Sequence, residues 1–253
     1  MFRVLRERIR QRYRTAGFPV PDSYLPERFR GMPVIDSLRC TGECVSCSAA
    51  CPSGAILRKD REISVDMGKC LFCSSCSAAC GRGAIYFSRN YRLAAFIREA
   101  LIFKGGAVPA VASPVRKEIK RIFGRSLKLR QVSAGGCNAC EADVNVLNTI
   151  TYDLGRFGIQ FVASPRHADG LLVTGPVSVN MRSALLDTYA AVPEPKIVIA
   201  CGACAISGGL YSGHPETCDG VTSLLPVDLF IPGCPPHPFT ILDGLLRLIG
   251  RLK

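Results

Sequence analysis

Eight cysteines between residues 40 and 80 fall into two similar halves, and this spacing constrains the fold more than any other feature of the chain. Each half ends in a short turn of small residues that leads into Ala-Ile. The halves are Cys40-x3-Cys44-x2-Cys47-x3-Cys51-Pro52 and Cys70-x2-Cys73-x2-Cys76-x3-Cys80-Gly81, and the turns are Ser53-Gly54-Ala55-Ile56 and Arg82-Gly83-Ala84-Ile85. A duplicated set of closely spaced thiols predicts a duplicated metal-binding unit.

The chain contains fourteen cysteines in 253 residues, and their use depends on the compartment. Disulfides are not expected, because residues 1–6 begin no apolar run of signal-peptide length. No window approaches the roughly 18 apolar residues of a membrane span. We therefore expect a folded protein in a reducing compartment, with cysteines that hold metal. The net charge of +12 overstates what a partner meets, because thiolate-bound clusters carry negative charge.

Four further cysteines lie in three loops of the second half of the chain. The loops are Gly135-Gly136-Cys137-Asn138-Ala139-Cys140-Glu141, Gly202-Ala203-Cys204-Ala205 and Pro232-Gly233-Cys234-Pro235-Pro236. Glycine lets backbone N–H groups approach an anionic cluster, and a helix predicted directly after Cys140 would point its N-terminal N–H groups there too. Taken alone, the Cys-x2-Cys turn fits a zinc site or a redox dithiol as well as it fits a cluster. The Gly-Cys-Pro-Pro loop favours a closed cage of four thiolates.

Residues 1–35 form a basic segment ahead of the cysteines. Its first 14 residues predict an amphipathic helix, with six arginines against one glutamate. The arginines are Arg3, Arg6, Arg8, Arg10, Arg12 and Arg14, and the apolar residues at helical spacing are Phe2, Leu5, Ile9 and Tyr13. Such a helix fits an anionic membrane surface, a partner subunit or the chain's own domain, and less well a transit peptide. Prolines then predict an extended segment to residue 35.

Residues 36–103 form the first predicted domain, and residues 104–130 form a linker. Apolar residues at helical spacing predict that a helix over residues 91–103 closes the domain. Glycine and proline predict an open linker, in which seven basic residues between 116 and 130 stand against Glu118 alone. They are Arg116, Lys117, Lys120, Arg121, Arg125, Lys128 and Arg130. We expect a solvated basic face, with contact to a partner or a membrane surface as the alternative.

The remaining residues, 131–253, alternate between strand-like and helix-like segments. Strands are predicted at 159–163, 170–174, 196–200 and 227–231, and helices at 141–155 and 180–191. This alternation predicts an α/β domain with a parallel sheet. Ligands of such sheets lie beyond the carboxyl ends of the strands, which is where the loops of Cys204 and Cys234 fall.

The duplicated cysteines resemble the bacterial two-cluster ferredoxin, an α+β domain with two 4Fe-4S clusters. In that family three closely spaced cysteines hold one cluster and the fourth reaches across to the other. The resemblance assigns Cys40, Cys44, Cys47 and Cys80 to cluster 1, and Cys70, Cys73, Cys76 and Cys51 to cluster 2. Two departures stand out. Cys40 and Cys44 are three residues apart instead of two, an insertion that a bulge or Gly42 would absorb, and Gly81 replaces a proline.

The region 131–253 resembles the small subunit of the energy-converting, membrane-bound (group 4) nickel-iron hydrogenases, which are relatives of the cluster-bearing subunit of respiratory complex I. The matching stretches are Gly136-Cys137-Asn138-Ala139-Cys140-Glu141, Ser164-Pro165-Arg166-His167-Ala168-Asp169, Leu172-Val173-Thr174-Gly175-Pro176-Val177, Cys204-Ala205-Ile206-Ser207-Gly208-Gly209 and Pro232-Gly233-Cys234-Pro235-Pro236. The resemblance implies a flavodoxin-like fold with a third 4Fe-4S cluster on Cys137, Cys140, Cys204 and Cys234. The spacing of Cys137 and Cys140 favours the hydrogenases, because the complex I relative has two adjacent cysteines there.

The first half is similar to the two-cluster ferredoxin subunit of formate hydrogenlyase, including Phe29-Arg30-Gly31, so the chain looks like a fusion of two subunits. This resemblance implies an electron-transfer subunit with three 4Fe-4S clusters that relays low-potential electrons to or from a nickel-iron large subunit. The implied partners are that large subunit, integral membrane subunits, and a ferredoxin or dehydrogenase as electron donor. The implied location is cytoplasmic, on the inner face of the cell membrane through partner subunits.

We identify no catalytic residue in this chain, which has only three histidines and two dispersed further cysteines, Cys201 and Cys218. Cys201 precedes Cys204 at a Cys-x2-Cys spacing, but the family uses only the second as a ligand. Glu141 and Asp143 are expected as charges at a helix N-terminus, with a proton relay as the alternative for Asp143. His167 belongs to a family motif and is otherwise a packed loop residue, and His237 is a candidate for tuning the third cluster.

Two other functions are consistent with these patterns. In one, the partner lacks nickel, and the complex is a hydrogenase-related or complex I-like quinone-linked oxidoreductase. In the other, the cysteines bind zinc and the basic segments bind nucleic acid. The ferredoxin spacing, the absence of Trp and the few aromatic residues in the basic runs argue against nucleic acid as a partner.

Overall fold

The structure is a computed structural model, and it describes residues 2–21, 24–60, 62–104, 123 and 126–252. The strands are β1 (Pro33–Ile35), β2 (Ile56–Lys59), β3 (Glu62–Asp66), β4 (Ile85–Phe87), β5 (Ile102–Lys104), β6 (Leu127–Ser133), β7 (Ile159–Phe161), β8 (Gly170–Thr174), β9 (Ile197–Cys201) and β10 (Leu229–Ile231). The α-helices are α1 (Phe2–Gln11), α2 (Ser46–Ala49), α3 (Ser75–Ala79), α4 (Ala139–Val146), α5 (Val179–Ala191), α6 (Ala203–Ser207) and α7 (Pro238–Leu248). Short 3-10 helices lie at Arg98–Leu101, Leu154–Phe157, Pro165–His167 and Gly209–Tyr211.

The cysteine-rich part has two small antiparallel sheets and two one-turn helices. β1 pairs with β4, and β3 lies between β2 and β5. The helices α2 and α3 occupy equivalent places in the two cysteine repeats and carry Cys47 and Cys76. This arrangement confirms the predicted α+β ferredoxin domain, with its internal duplication.

β6 to β10 form one parallel sheet in the order β10-β9-β8-β6-β7. Counted from β6, this is the strand order 2-1-3-4-5 of the flavodoxin-like fold. Every residue of β8 and β9 is buried, as expected for parallel strands covered on both faces. The predicted α/β domain is confirmed, and its cysteine loops follow β6, β9 and β10 at the carboxyl edge of the sheet.

The prediction of a helix over residues 91–103 is wrong. Residues 91–97 are mainly extended, and Ala95 forms an antiparallel bridge to Phe230 of β10, with N–H···O distances of 3.0 and 2.8 Å. The 3-10 helix Arg98–Leu101 and the strand β5 follow. The edge strand β10 offers unpaired backbone groups, and pairing with them replaces the intrahelical hydrogen bonds that the apolar spacing suggested.

Two other boundaries differ from the predictions. The helix predicted over 141–155 is shorter, because α4 ends at Val146, where the Thr149 hydroxyl donates to the Val146 carbonyl (2.7 Å). The strand β6 begins at Leu127, so it includes Lys128 and Arg130 of the predicted linker. The remaining predicted linker residues, apart from Lys104, Phe123 and Ser126, lie outside the described residues, and with them the other five cations of the basic stripe.

The two parts of the chain share a core. One hydrophobic cluster includes Val65 and Leu101 of the cysteine-rich part together with Ala205 and Phe230 of the parallel-sheet part. Ala16, Val20 and Leu25 pack with Tyr91 and Phe239 in a separate, smaller cluster. Within the described residues, no helix is long and apolar enough to cross a membrane.

Candidate metal centres

Cys40, Cys44, Cys47 and Cys80 line one cavity. Cys47 lies in α2, and Cys80 comes from the second repeat, as the crossed assignment requires. Gly42 has a φ of +69° and so absorbs the extra residue between Cys40 and Cys44. The Arg58 guanidinium donates to the Glu43 carbonyl (3.1 Å) and fixes the same loop from β2. We name this cavity site 1.

Cys51, Cys70, Cys73 and Cys76 line a second cavity. Here Cys51 of the first repeat joins three thiols of the second repeat. The backbone N–H of Phe72 donates to the Cys70 sulfur (3.4 Å), and the Ser75 hydroxyl lies 3.4 Å from the Cys73 sulfur. We name this cavity site 2.

The small-residue turns of the two repeats supply matching donors to sulfur. The Ala55 N–H lies 3.2 Å from the Cys51 sulfur, and the Ala84 N–H lies 3.3 Å from the Cys80 sulfur. In both turns a glycine with positive φ, Gly54 or Gly83, turns the backbone back toward the thiol. The repeated Gly-Ala-Ile motif therefore orients an N–H group onto the crossing cysteine of each site, a role that the sequence did not reveal.

Cys137, Cys140, Cys204 and Cys234 come together from the three loops at the carboxyl edge of the parallel sheet. Cys140 lies in the first turn of α4, Cys204 lies in α6, and Cys234 follows β10. Glycine is required beside two of the thiols: a β-carbon on Gly202 would lie 2.6 Å from the Cys140 sulfur, and one on Gly209 would lie 2.8 Å from the Cys204 sulfur. We name this group site 3.

Burial sets the charge of most of these thiols. It raises the pKa of Cys70 to about 12 and that of Cys204 to about 11, and it also raises the pKa of Cys140. At Cys80 burial is outweighed by backbone N–H groups of Arg82, Gly83, Ala84 and Ile85, which lower the thiol pKa. Thiols with a raised pKa keep their proton at neutral pH unless a cation replaces it.

The donor sets fit 4Fe-4S clusters. At sites 1 and 2 four thiols surround a cavity, with backbone N–H groups directed at sulfur, and this is the environment of an anionic cluster. In the part of the chain that the structure describes, no three Cys, His, Asp or Glu side chains are arranged to hold a single metal ion. Iron would displace the protons of the thiols and leave thiolates as ligands.

Sites 2 and 3 lie beside each other. The Cys234 thiol has a raised pKa because of burial and the neighbouring thiols of Cys137 and Cys73, the last of which belongs to site 2. A cavity touches both, since Cys234 and Leu71, which also lines site 2, line it. Arg30 also lines this cavity, and its guanidinium donates to the Phe72 carbonyl (3.4 Å).

Glu141 lies in the first turn of a helix, α4, as expected, but it is buried and not solvated. Its Oε1 accepts hydrogen bonds from the hydroxyls of Ser133 and Thr174, each 2.6 Å long. Burial alone would raise the pKa of Glu141, but these two hydrogen bonds outweigh it and lower the pKa. The sequence did not single out Ser133 and Thr174 for this role, although Thr174 ends β8 at the same edge of the sheet.

The other candidate residues differ in their positions. Asp143 lines the cavity beside Cys234, and burial raises its pKa. His237 lines the same cavity, and its Nδ1 accepts from the Phe239 N–H (3.2 Å), which caps α7. His167 is exposed in a 3-10 helix before β8, at the opposite edge of the sheet from site 3. Cys201 is fully buried in the core at the end of β9.

Comparisons with known proteins agree with both halves. The sequence model of the family described as NADH ubiquinone oxidoreductase, 20 Kd subunit, matches residues 137–248, and that of a 4Fe-4S dicluster domain matches residues 32–81. The probable membrane-bound hydrogenase subunit mbhJ of Pyrococcus furiosus is 42% identical over 135 residues, which cover 53% of this chain and 81% of that protein. The chain belongs to the family of the 20 Kd subunit of NADH ubiquinone oxidoreductase.

Two other relatives show similar identity. Formate hydrogenlyase subunit 7 of Escherichia coli is 40% identical over 147 residues, which cover 58% of this chain and 56% of that protein. A NADH-quinone oxidoreductase subunit of Desulfovibrio desulfuricans is 39% identical over 151 residues, which cover 60% of this chain and 80% of that protein. The chain therefore joins a 4Fe-4S domain to a 20 Kd subunit domain, and it is an iron-sulfur electron-transfer subunit of an oxidoreductase complex.

Proposed function

We propose that the chain holds three 4Fe-4S clusters and relays electrons through them in the order site 1, site 2, site 3. The ligands are Cys40, Cys44, Cys47 and Cys80 for cluster 1, Cys70, Cys73, Cys76 and Cys51 for cluster 2, and Cys137, Cys140, Cys204 and Cys234 for cluster 3. The juxtaposition of Cys73 and Cys234 is the observation that supports this order. It makes site 2 the neighbour of site 3 and leaves site 1 as the entry point, where Cys44 is exposed.

The protein's own residues bind, orient and shield the clusters. Bound clusters supply one-electron transfer at low potential. The N–H groups of Ala55 and Ala84 hold the two crossing thiolates in position and stabilise their charge. At site 3, Gly202 and Gly209 leave room for the sulfurs of Cys140 and Cys204. Hydrogen bonds from two hydroxyls hold the Glu141 carboxylate in place in the first turn of α4. Rigid placement of this kind keeps the distance between neighbouring clusters constant.

The domain division that fits this function is a basic segment (1–35), a two-cluster ferredoxin domain (36–103), a linker (104–130) and a flavodoxin-like domain (131–253). We propose that the flavodoxin-like domain passes electrons to or from a nickel-iron large subunit, and the 42% identity to a probable membrane-bound hydrogenase subunit supports a hydrogenase partner. Integral membrane subunits and a ferredoxin or dehydrogenase donor complete the complex, on the cytoplasmic face of the membrane.

A second candidate is a quinone-linked complex without nickel. The 39% identity to a NADH-quinone oxidoreductase subunit supports it, because the match covers 60% of this chain and 80% of that relative. The two candidates differ in the partner and not in this chain. Metal analysis of the purified complex separates them, since only the first contains nickel.

Iron and acid-labile sulfide analysis, combined with EPR of the dithionite-reduced chain purified without oxygen, tests the proposal. We expect about twelve irons and twelve sulfides per chain, because each of three clusters contributes about four. Magnetic coupling between the clusters of sites 2 and 3 should broaden the EPR signals. Eight irons would contradict the third cluster, and zinc without labile sulfide would contradict the electron-transfer function.

A further inference from the structure

The helix α1 has a strongly basic, amphipathic surface that nothing in the described part of the chain covers. No residue of α1 is buried. Its apolar side chains are exposed, as is the nearby tyrosine: Phe2 by 88%, Leu5 by 58%, Ile9 by 70% and Tyr13 by 84%. Large apolar side chains grouped at such exposure indicate a binding surface.

The charges of α1 are placed around its apolar face. At about 100° per residue, Phe2, Leu5 and Ile9 fall within an arc of roughly 60°. Arg6 and Arg8 flank this arc on its two sides, while Glu7 lies on the opposite face. Arginine beside apolar side chains extends its charged end to the water boundary while its stem stays in apolar surroundings. This is the pattern of a helix that lies in a lipid interface.

The attachment of α1 adds a second apolar feature. The chain leaves the helix and is fixed to the flavodoxin-like domain at Ala16, whose N–H donates to the Thr151 carbonyl (2.8 Å) and whose carbonyl accepts from Arg156 (2.7 Å). Ile150, the neighbour of Thr151, is 73% exposed. An exposed isoleucine therefore lies next in sequence to Thr151, the residue that fixes the chain at Ala16.

We infer that α1 binds directly to an anionic lipid bilayer, with Phe2, Leu5 and Ile9 in the acyl boundary and the arginines on lipid phosphates. Charge complementarity selects this occupant, because arginines outnumber the single acidic residue of α1 and attract anionic headgroups. This lipid contact is additional to the proposed attachment through partner subunits, and it does not require the clusters. It gives the electron-transfer subunit its own orientation on the membrane.

Co-sedimentation of the full chain, with its clusters bound, tests this inference with phosphatidylcholine vesicles that contain or lack phosphatidylglycerol. We expect salt-sensitive binding only to the anionic vesicles. Arg6→Gln with Arg10→Gln should weaken it by about fivefold per arginine, since each is worth about 1 kcal/mol at such a surface. Leu5→Gln with Ile9→Gln should weaken it by at least about tenfold.

The control variant removes two exposed cations elsewhere, Lys59→Gln and Arg182→Gln, and should bind like the wild type. The cluster absorbance verifies that each variant is folded, which is expected because α1 contributes nothing to the core. The inference is overturned if the wild type binds no anionic vesicles, which would make α1 a contact for a protein subunit. It is equally overturned if the apolar variant binds as well as the wild type, or if the control loses as much as the arginine variant.

Discussion

The two thiol-rich regions of this molecule form their sites in different ways. Sites 1 and 2 are built from short repeats, in which three thiols lie within eight residues and the fourth crosses from the other repeat. Site 3 draws its four thiols from loops that span almost a hundred residues, from Cys137 to Cys234. The first pair depends on local spacing, whereas the third depends on a completed parallel sheet.

This difference predicts different sensitivity to backbone change. In the ferredoxin domain, Gly54 has positive φ (+61°), but a β-carbon there would meet nothing within 4 Å. At site 3, by contrast, Gly202 and Gly209 have positive φ, and their lack of a β-carbon also leaves room for a ligand sulfur. Local repeats can relax around a substitution, while loops fixed by the sheet cannot.

Gly202→Ala should have the largest effect. The new β-carbon would lie 2.6 Å from the Cys140 sulfur, and φ is +93°, so we expect loss of cluster 3 while the other two persist. Iron should fall from about twelve to about eight per chain, in units of about four per cluster. Gly213→Ala is the matched control, because Gly213 also has positive φ (+79°) but a β-carbon there would meet nothing within 4 Å. Full iron content in Gly202→Ala would contradict the structural role of this glycine.

Arg98→Met should have the next largest effect. Arg98 forms two hydrogen bonds to the buried Asp66 carboxylate (2.8 and 2.7 Å), just ahead of Cys70, and removing it leaves a buried charge without its partner. Such losses cost about 3 kcal/mol. The urea midpoint for loss of the cluster absorbance should fall clearly, with cluster 2 lost first. Lys104→Met removes the exposed ion pair with Glu62 and should leave the midpoint unchanged; equal shifts would refute the distinction.

The fold could be predicted from the sequence where the pattern was local, and it could not where a distant element decided the structure. The cysteine repeats and the buried strands β8 and β9 are self-contained signals, and the structure reproduces them. Apolar residues have helical spacing in residues 91–97, but Ala95 pairs with Phe230 of β10 instead. No nearby residue in the sequence indicates that the edge of this strand is available. For the same reason Ser133 and Thr174 were missed: they meet Glu141 only after three elements have packed.

Replacing His237 should have the smallest effect. The replacement compares a partly buried histidine beside site 3 with a histidine in an exposed loop. Its Nδ1 caps α7 by accepting from Phe239 N–H (3.2 Å), and burial lowers its pKa. The unfolded chain therefore binds a proton near pH 6.5 while the folded chain does not, so stability is complete above that pH and decreases as the pH falls toward the folded pKa.

His237→Asn keeps a capping acceptor and should remove this decrease. His214, whose Nδ1 accepts from Glu216 N–H (3.2 Å) in an exposed loop, provides the control variant His214→Asn. Thermal unfolding between about pH 7 and pH 5 measures both variants, and an undiminished pH dependence in His237→Asn would show that another group titrates.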